Sequence, residues 1–94
     1  MVTAIVMINA EVHRIPEVAE VIAQIPGVSE VYSTTGEFDL VTIVRVRAHE
    51  DLAEVIPGKV NKVPGVIATQ THIAFRTYSR HDLEAAFSIG FEGA

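Results

Sequence analysis

The sequence predicts an α+β domain in which four antiparallel strands carry two helices on one face, and three observations support this. Apolar periodicity switches between strand and helix in the order β-α-β-β-α-β. A weak internal repeat gives both halves the same plan. The apolar fraction is 49% in only 94 residues, more than a chain of this size can cover with its own core.

The repeat is short but ordered. Ala19-Glu20-Val21-Ile22 precedes Ile25-Pro26-Gly27-Val28, and Ala53-Glu54-Val55-Ile56 precedes Val63-Pro64-Gly65-Val66. Each half therefore reads as helix, apolar-Pro-Gly-Val, then a β-branched strand. The second copy holds four more residues between its landmarks, about one α-helical turn, which would nearly preserve its apolar face.

Val2–Ala10 is short, apolar and β-branched, with Thr3 and Asn9 its only polar residues. It predicts a strand buried on both faces. Ile15, Val18, Ala19, Ile22 and Ile25 follow helical spacing, with Glu17, Glu20 and Gln24 opposite. Pro16 suits the first turn, where its missing N–H costs nothing, and Pro26-Gly27 ends the helix. Val28–Thr35 and Leu40–Arg47 predict two strands joined by the short connection Gly36-Glu37-Phe38-Asp39. His49-Glu50-Asp51 opens a second helix with the face Leu52, Val55, Ile56 and Val63, and Pro57-Gly58 should kink or split it. Val66–Tyr78 predicts a long last strand. Ser79-Arg80-His81-Asp82 forms a capping box for a final short helix containing Leu83, Ala86 and Phe87. Residues 1–78 are thus expected as the domain and 79–94 as a helical extension.

This order is the ferredoxin-like arrangement, with helices on one sheet face and the other bare. Along the third strand, Leu40, Thr42, Val44 and Val46 alternate with Val41, Ile43, Arg45 and Arg47. On the fourth, Ile67, Ile73 and Phe75 share a face with Thr69, Thr71 and Thr77. A solvated face should alternate cleanly to polar residues, and the first and third strands do not. A second copy packed sheet to sheet, as a C2 dimer, would cover the excess.

Other destinations for the apolar surface are disfavoured. No apolar run approaches the ~18–20 residues of a membrane span, and Met1–Ala10 lacks the basic region and cleavage site of a signal peptide. Cytoplasm is the expected compartment. A net charge of −5 with scattered Lys and Arg argues against a nucleic-acid surface. The chain has no cysteine, so thiolate metal sites, disulfides and thiol nucleophiles are excluded. His13, His49, His72 and His81 show no metal-ligand spacing, and no cofactor motif is present. His72, mid-strand beside Gln70, reads as a packing residue before a general base. Ser33-Thr34-Thr35 lacks a base and its orienting partner. No catalytic constellation is expected.

A cluster of small and polar groups remains at the strand ends. Gly36 permits close approach of a ligand or another backbone, its neighbouring N–H groups could hold a carboxylate, and Asp39 offers a carboxylate for an ammonium. A free amino acid carries both groups, although an ordinary hairpin with β-favouring threonines would look the same.

The segment Ile25-Pro26-Gly27-Val28-Ser29-Glu30-Val31-Tyr32-Ser33-Thr34-Thr35-Gly36-Glu37-Phe38-Asp39-Leu40 resembles the signature of the C-terminal domain of Lrp/AsnC-type transcription regulators. Pro64-Gly65-Val66-Ile67-Ala68-Thr69-Gln70-Thr71-His72-Ile73 resembles the same family's Gly-Val-x-x-Thr-x-Thr strand. The resemblance spans Val2 to about Tyr78. It implies a ferredoxin-like domain of amino-acid regulation that dimerises through facing sheets, often as a ring of four dimers, with amino-acid effectors between subunits. By position, Gly36, Glu37, Phe38 and Asp39 match the family's loop, and Thr69 and Thr71 match its strand. Full regulators carry an N-terminal helix-turn-helix, and here the first strand begins at Val2. The expectation is therefore a stand-alone, non-enzymatic effector-binding and oligomerisation module without direct DNA binding. Two alternatives stay open: a small dimeric α/β-barrel enzyme of cofactor-free monooxygenase or isomerase type, and a structural subunit that titrates full-length regulators.

Overall fold

The computed structural model describes residues 1–78 and Arg80. Strand β1 (Val2–Ala10) leads through a 3-10 turn at Val12–Arg14 into helix α1 (Ile15–Ala23), followed by β2 (Val28–Ser33) and β3 (Leu40–Val46). Helix α2 (Asp51–Val55), a second 3-10 turn at Val60–Lys62 and β4 (Val66–Ala74) complete it. The four strands form one antiparallel sheet in the order β2-β3-β1-β4. This is the expected ferredoxin-like topology, with β1 central because it pairs with β3 on one side and β4 on the other.

The core lies between the helices and one sheet face. Ala4, Val6 and Ile8 of β1 and Leu40 and Val44 of β3 are fully buried there, against Val18 and Ile22 of α1. Leu52, Val55, Ile56 and Val60 close the other side. Each aliphatic side chain so removed from water contributes roughly 1.5–3 kcal/mol. Thr42, also fully buried, leaves its hydroxyl without a hydrogen-bond partner among the described residues.

The repeat has a physical counterpart. Val28 N–H donates to the Ile25 carbonyl at 3.0 Å and Val66 N–H to that of Val63 at 3.1 Å. Gly27 has φ +98° and Gly65 φ +101°. Proline at the second position and a left-handed glycine at the third are the requirements of a type II turn. The two turns are tied crosswise. Gly27 of the first half accepts from Arg45 N–H of the second, and Gly65 of the second accepts from Glu11 N–H of the first, both at 2.8 Å. Each half thus holds the turn of the other.

Three elements depart from the sequence pattern. The second helix does split at Pro57-Gly58, but the four extra residues enter the break and add no helical turn. Gly58 N–H reaches back to the Ala53 carbonyl at 3.2 Å, and a Cβ on Gly58 would stand 2.3 Å from the Glu54 carbonyl oxygen. Only glycine permits that closure. Strand β4 ends at Ala74, short of Tyr78, because Ala74 pairs with Thr3 near the start of β1 and the ladder runs out of partner. The β1–β4 register also shifts between Asn9 and Ala10. Asn9 pairs with Ala68 and Ala10 with Val66, so Ile67 becomes the extra residue of a bulge and leaves the face shared by Thr69, Thr71 and Ile73. Finally, the described residues cover β1 on one face only: Thr3, Ile5, Met7 and Asn9 are half-buried. The expected helix over 79–94, Arg80 apart, lies outside the described residues.

Gly65 and Gly36 separate backbone strain from packing. Both have φ near +100°, but a Cβ on Gly65 would lie 2.7 Å from Val18 Cγ2, whereas one on Gly36 would meet nothing within 4 Å. Gly36→Ala should cost only the conformational penalty, about 1–2 kcal/mol. Gly65→Ala should cost a further ~1–3 kcal/mol of overpacking. Urea unfolding of both variants at one protein concentration measures the difference.

Candidate functional site

The β2–β3 hairpin is closed where Thr34 N–H donates to the Asp39 carbonyl at 3.0 Å, leaving Thr35–Phe38 as the loop. Thr34 Oγ1 donates to the Phe38 carbonyl at 2.9 Å and stiffens it. Gly36, at φ +102°, and Glu37 are exposed at the tip, while Phe38 and Asp39 are half-buried. The positive φ fixes glycine at this position.

Asp39 is the structural pivot of the loop. Its N–H donates to the Ile8 carbonyl at 3.0 Å, and its Oδ2 accepts from the Ala10 N–H at 2.9 Å. The carboxylate thus takes over the pairing of β1 where β3 has turned away. Its other oxygen remains for a second donor.

The two threonines lie elsewhere. Register places Thr69 opposite Ile8 and Thr71 opposite Val6, both on the helix-side face of β4. Thr69 Oγ1 donates to Asn61 Oδ1 at 3.0 Å. Thr71 lines an open groove of about 370 Å³ with Ile73, His49, Leu52, Ala53 and Ile56. Leu40, next to Asp39, is also opposite Ile8, on the other side of β1. Loop and threonines are therefore separated by two strand spacings, roughly 10 Å. The hairpin brings Gly36, Glu37, Phe38 and Asp39 together; the fold of one protomer does not bring Thr69 and Thr71 to them. Asn61, which anchors Thr69, lies in the turn Lys59-Val60-Asn61-Lys62, where nothing in the sequence marks it out.

The uncovered sheet face forms a second surface. Ile5, Met7, Val41 and Ile43 occupy its centre, and the β4 side presents Gln70 and His72. On the β2 flank, the exposed Tyr32 hydroxyl donates to the Glu30 carboxylate, which also pairs with Arg45 at 3.3 Å. The Tyr32 hydrogen bond first, and Arg45 second, hold the Glu30 carboxyl below the usual carboxylate range, and Glu30 pushes the Tyr32 phenol up. An apolar centre with tyrosine, arginine and polar residues at its margin has the composition of an interface core and rim. Among the described residues no group of three or more His, Asp or Glu side chains is placed to hold a metal ion, and no helix is long and apolar enough to cross a membrane.

The Asp39–Ala10 bond predicts how β1 ends. Asp39→Ala strands a backbone N–H and should cost about 1–3 kcal/mol, with faster hydrogen exchange at Ala10. Asp39→Asn retains an acceptor and should keep most of that protection.

Comparison with known proteins places this geometry. Residues 3–83 match the family described as the Lrp/AsnC ligand binding domain. An uncharacterised HTH-type transcriptional regulator of Pyrococcus furiosus is 39% identical over 72 residues, 77% of this chain and 48% of its own length. The chain spans about half the length of the curated relatives it matches. Among solved structures, TTHA0845 from Thermus thermophilus aligns with a TM-score of 0.80 and 42% identity, over 85% of this chain and all of that one. The feast or famine regulatory protein of M. tuberculosis, solved in complex with L-methionine, aligns with a TM-score of 0.66 and 26% identity, over 85% of this chain and 54% of its own. Two type II turns tied crosswise, a Thr-Gly-Glu-Phe-Asp hairpin pinned to the central strand and the match over residues 3–83 agree: the chain belongs to the Lrp/AsnC ligand-binding domain family.

Proposed function

We propose that this chain is a non-enzymatic, amino-acid-responsive oligomerisation module of transcription regulation, without DNA binding of its own. The observation that carries this reading is the uncovered sheet face. Ile5, Met7, Val41 and Ile43 form an apolar centre on the face opposite α1 and α2. A second copy, related by a two-fold axis between the sheets, is the occupant, because a self-complementary face of this kind satisfies both partners at once. Four such dimers closing into a ring would make an octamer, a cytoplasmic assembly able to mix with full-length regulators of the family.

The effector reading rests on the exposed loop. Gly36 presents backbone N–H groups at a position without a side chain, Asp39 keeps one carboxylate oxygen available, and a relative of the same fold is described with L-methionine. Because Thr69 and Thr71 stand away from the loop within one protomer, an amino acid held by both sets would lie between subunits, the loop from one copy and the threonines from another. If no amino acid binds, the titrating-subunit reading takes precedence. The enzyme alternative gains no support from the helix-side face, which is lined by aliphatic side chains.

Assembly is tested by light scattering at micromolar concentration, where no 10 kDa species should remain. Ile43→Asp should release monomer, while Val21→Asp, on an exposed helix position, should not. High salt should leave the assembly intact, since its centre is aliphatic.

The effector site is tested by a thermal-shift screen of the twenty amino acids followed by calorimetry. A charge-assisted hydrogen bond is worth ~1.5–3 kcal/mol, so Asp39→Asn, which removes charge but keeps the acceptor, should weaken binding roughly ten- to a hundredfold. Unchanged affinity in Asp39→Asn would remove that residue from the site.

A further inference from the structure

The strand registers order the uncovered sheet face into rows. Glu30 of β2 stands beside Ile43 of β3, Ile43 beside Ile5 of β1, and Ile5 beside His72 of β4. The next row runs Tyr32, Val41, Met7 and Gln70 in the same strand order. Each row is therefore apolar in the middle and polar at both ends, and its two ends differ in chemistry. At the β2 end, Glu30 is a carboxylate held below its usual range by the Tyr32 hydroxyl and then by Arg45. It accepts one bond at each oxygen and has lone pairs left for another donor. At the β4 end, His72 and Gln70 are exposed and carry N–H donors. Three strand spacings, roughly 14 Å, separate the two ends, so they cannot meet within one protomer.

We infer that the second copy sits with its two-fold axis parallel to the strands, between β3 and β1, so that His72 of each copy donates to Glu30 of the other. This rests on the sheet-face dimer proposed above and fixes its orientation and its pairing residues. Such an axis reverses the strand order and keeps the rows, which lays β4 over the β2 of the partner and β1 over its β3. Ile5 then meets Ile43, Met7 meets Val41, and Gln70 meets Tyr32, apolar on apolar and donor on acceptor. An axis across the strands would instead stack β2 on β2 and β4 on β4. That arrangement gathers both acidic clusters at one end and leaves the two His72 side chains together without a carboxylate. Aligned packing of facing sheets is the common geometry, and charge complementarity chooses between its two senses. His72 is thus a specificity residue: the pair it makes at each end of the row selects a partner with the same order of charges and fixes the register.

The chain has no cysteine of its own, so engineered thiols report the orientation in the full-length protein. Tyr32→Cys combined with Gln70→Cys should give dimers joined 32 to 70 by a short bis-maleimide, identified by mass spectrometry, while either single variant should give few. Links joining 32 to 32 or 70 to 70 in the single variants would place the axis across the strands and overturn the inference, leaving the sheet-face dimer intact. The pair itself is read by dilution followed with fluorescence anisotropy. His72→Glu sets a carboxylate against Glu30 at both ends and should raise the dimer dissociation constant roughly tenfold or more. His72→Gln keeps a donor and should change it little, and adding Glu30→Gln to His72→Glu should restore most of the loss. His72 is exposed in the protomer, so these variants leave its own fold in place. An unchanged constant in His72→Glu, or no recovery with Glu30→Gln, would remove the pair. A parent protein that scatters light as a monomer would end both this inference and the dimer on which it rests.

Discussion

Strand β1 has ladders on both sides and apolar side chains on both faces, and that double demand governs the molecule. Val6 and Ile8 are satisfied by the helices. Ile5 and Met7 point the other way, and the described residues have no third layer to offer them. A small domain has two solutions to an apolar two-faced strand: another layer of its own or another copy of itself. With residues 1–78 already committed to one sheet and its helices, the second is the simpler one. The polar margin of Tyr32, Glu30 and Arg45 fits this view, because an exposed ion pair adds little stability and contributes mainly to specificity and register.

The two halves achieve the fold by exchanging turns. Gly27 and Gly65 adopt the same conformation, and each carbonyl is claimed by a backbone N–H of the opposite half. Each half closes its own turn with the Val28–Ile25 or Val66–Val63 bond and is then anchored by the other half, so local geometry and long-range pairing reinforce one another. The symmetry is broken at Pro57-Gly58. The first half uses its intervening residues for an unbroken helix, and the second breaks its helix and leaves the groove over Thr71 and Ile73. The departure from symmetry is thus the origin of the helix-side groove that distinguishes the halves.

Much of this was legible from local chemistry. Periodicity, the Pro-Gly turns and the helix break are properties of residues close in sequence, and each appears at its expected place. Features set by distant partners were not legible. Strand β4 stops at Ala74 because β1 has little left to pair with, which no feature of residues 75–78 reveals. Ile67 leaves the common face through a bulge created by its neighbour strand. The loop Gly36-Glu37-Phe38-Asp39 was recognisable, but the bond between Asp39 and Ala10 joins residues 29 apart. It shows that one carboxylate oxygen already serves the sheet. Thr69 and Thr71 match the family's strand by position, and only the register reveals their side of the sheet, with Thr69 tied to Asn61 and Thr71 facing a groove.

The central position of β1 also has a consequence in time. During synthesis this strand leaves the ribosome with an apolar stripe on each side and neither of its ladders formed. Its β3 partner, Leu40–Val46, arrives only after some thirty further residues, and its β4 partner, Val66–Ala74, comes last. Pairings so distant in sequence are slow to close and leave strand edges open in the interim. The nascent chain must therefore carry its most aggregation-prone segment incompletely paired until β4 emerges. Chaperone engagement at Val2–Ala10 would thus be concentrated before that point.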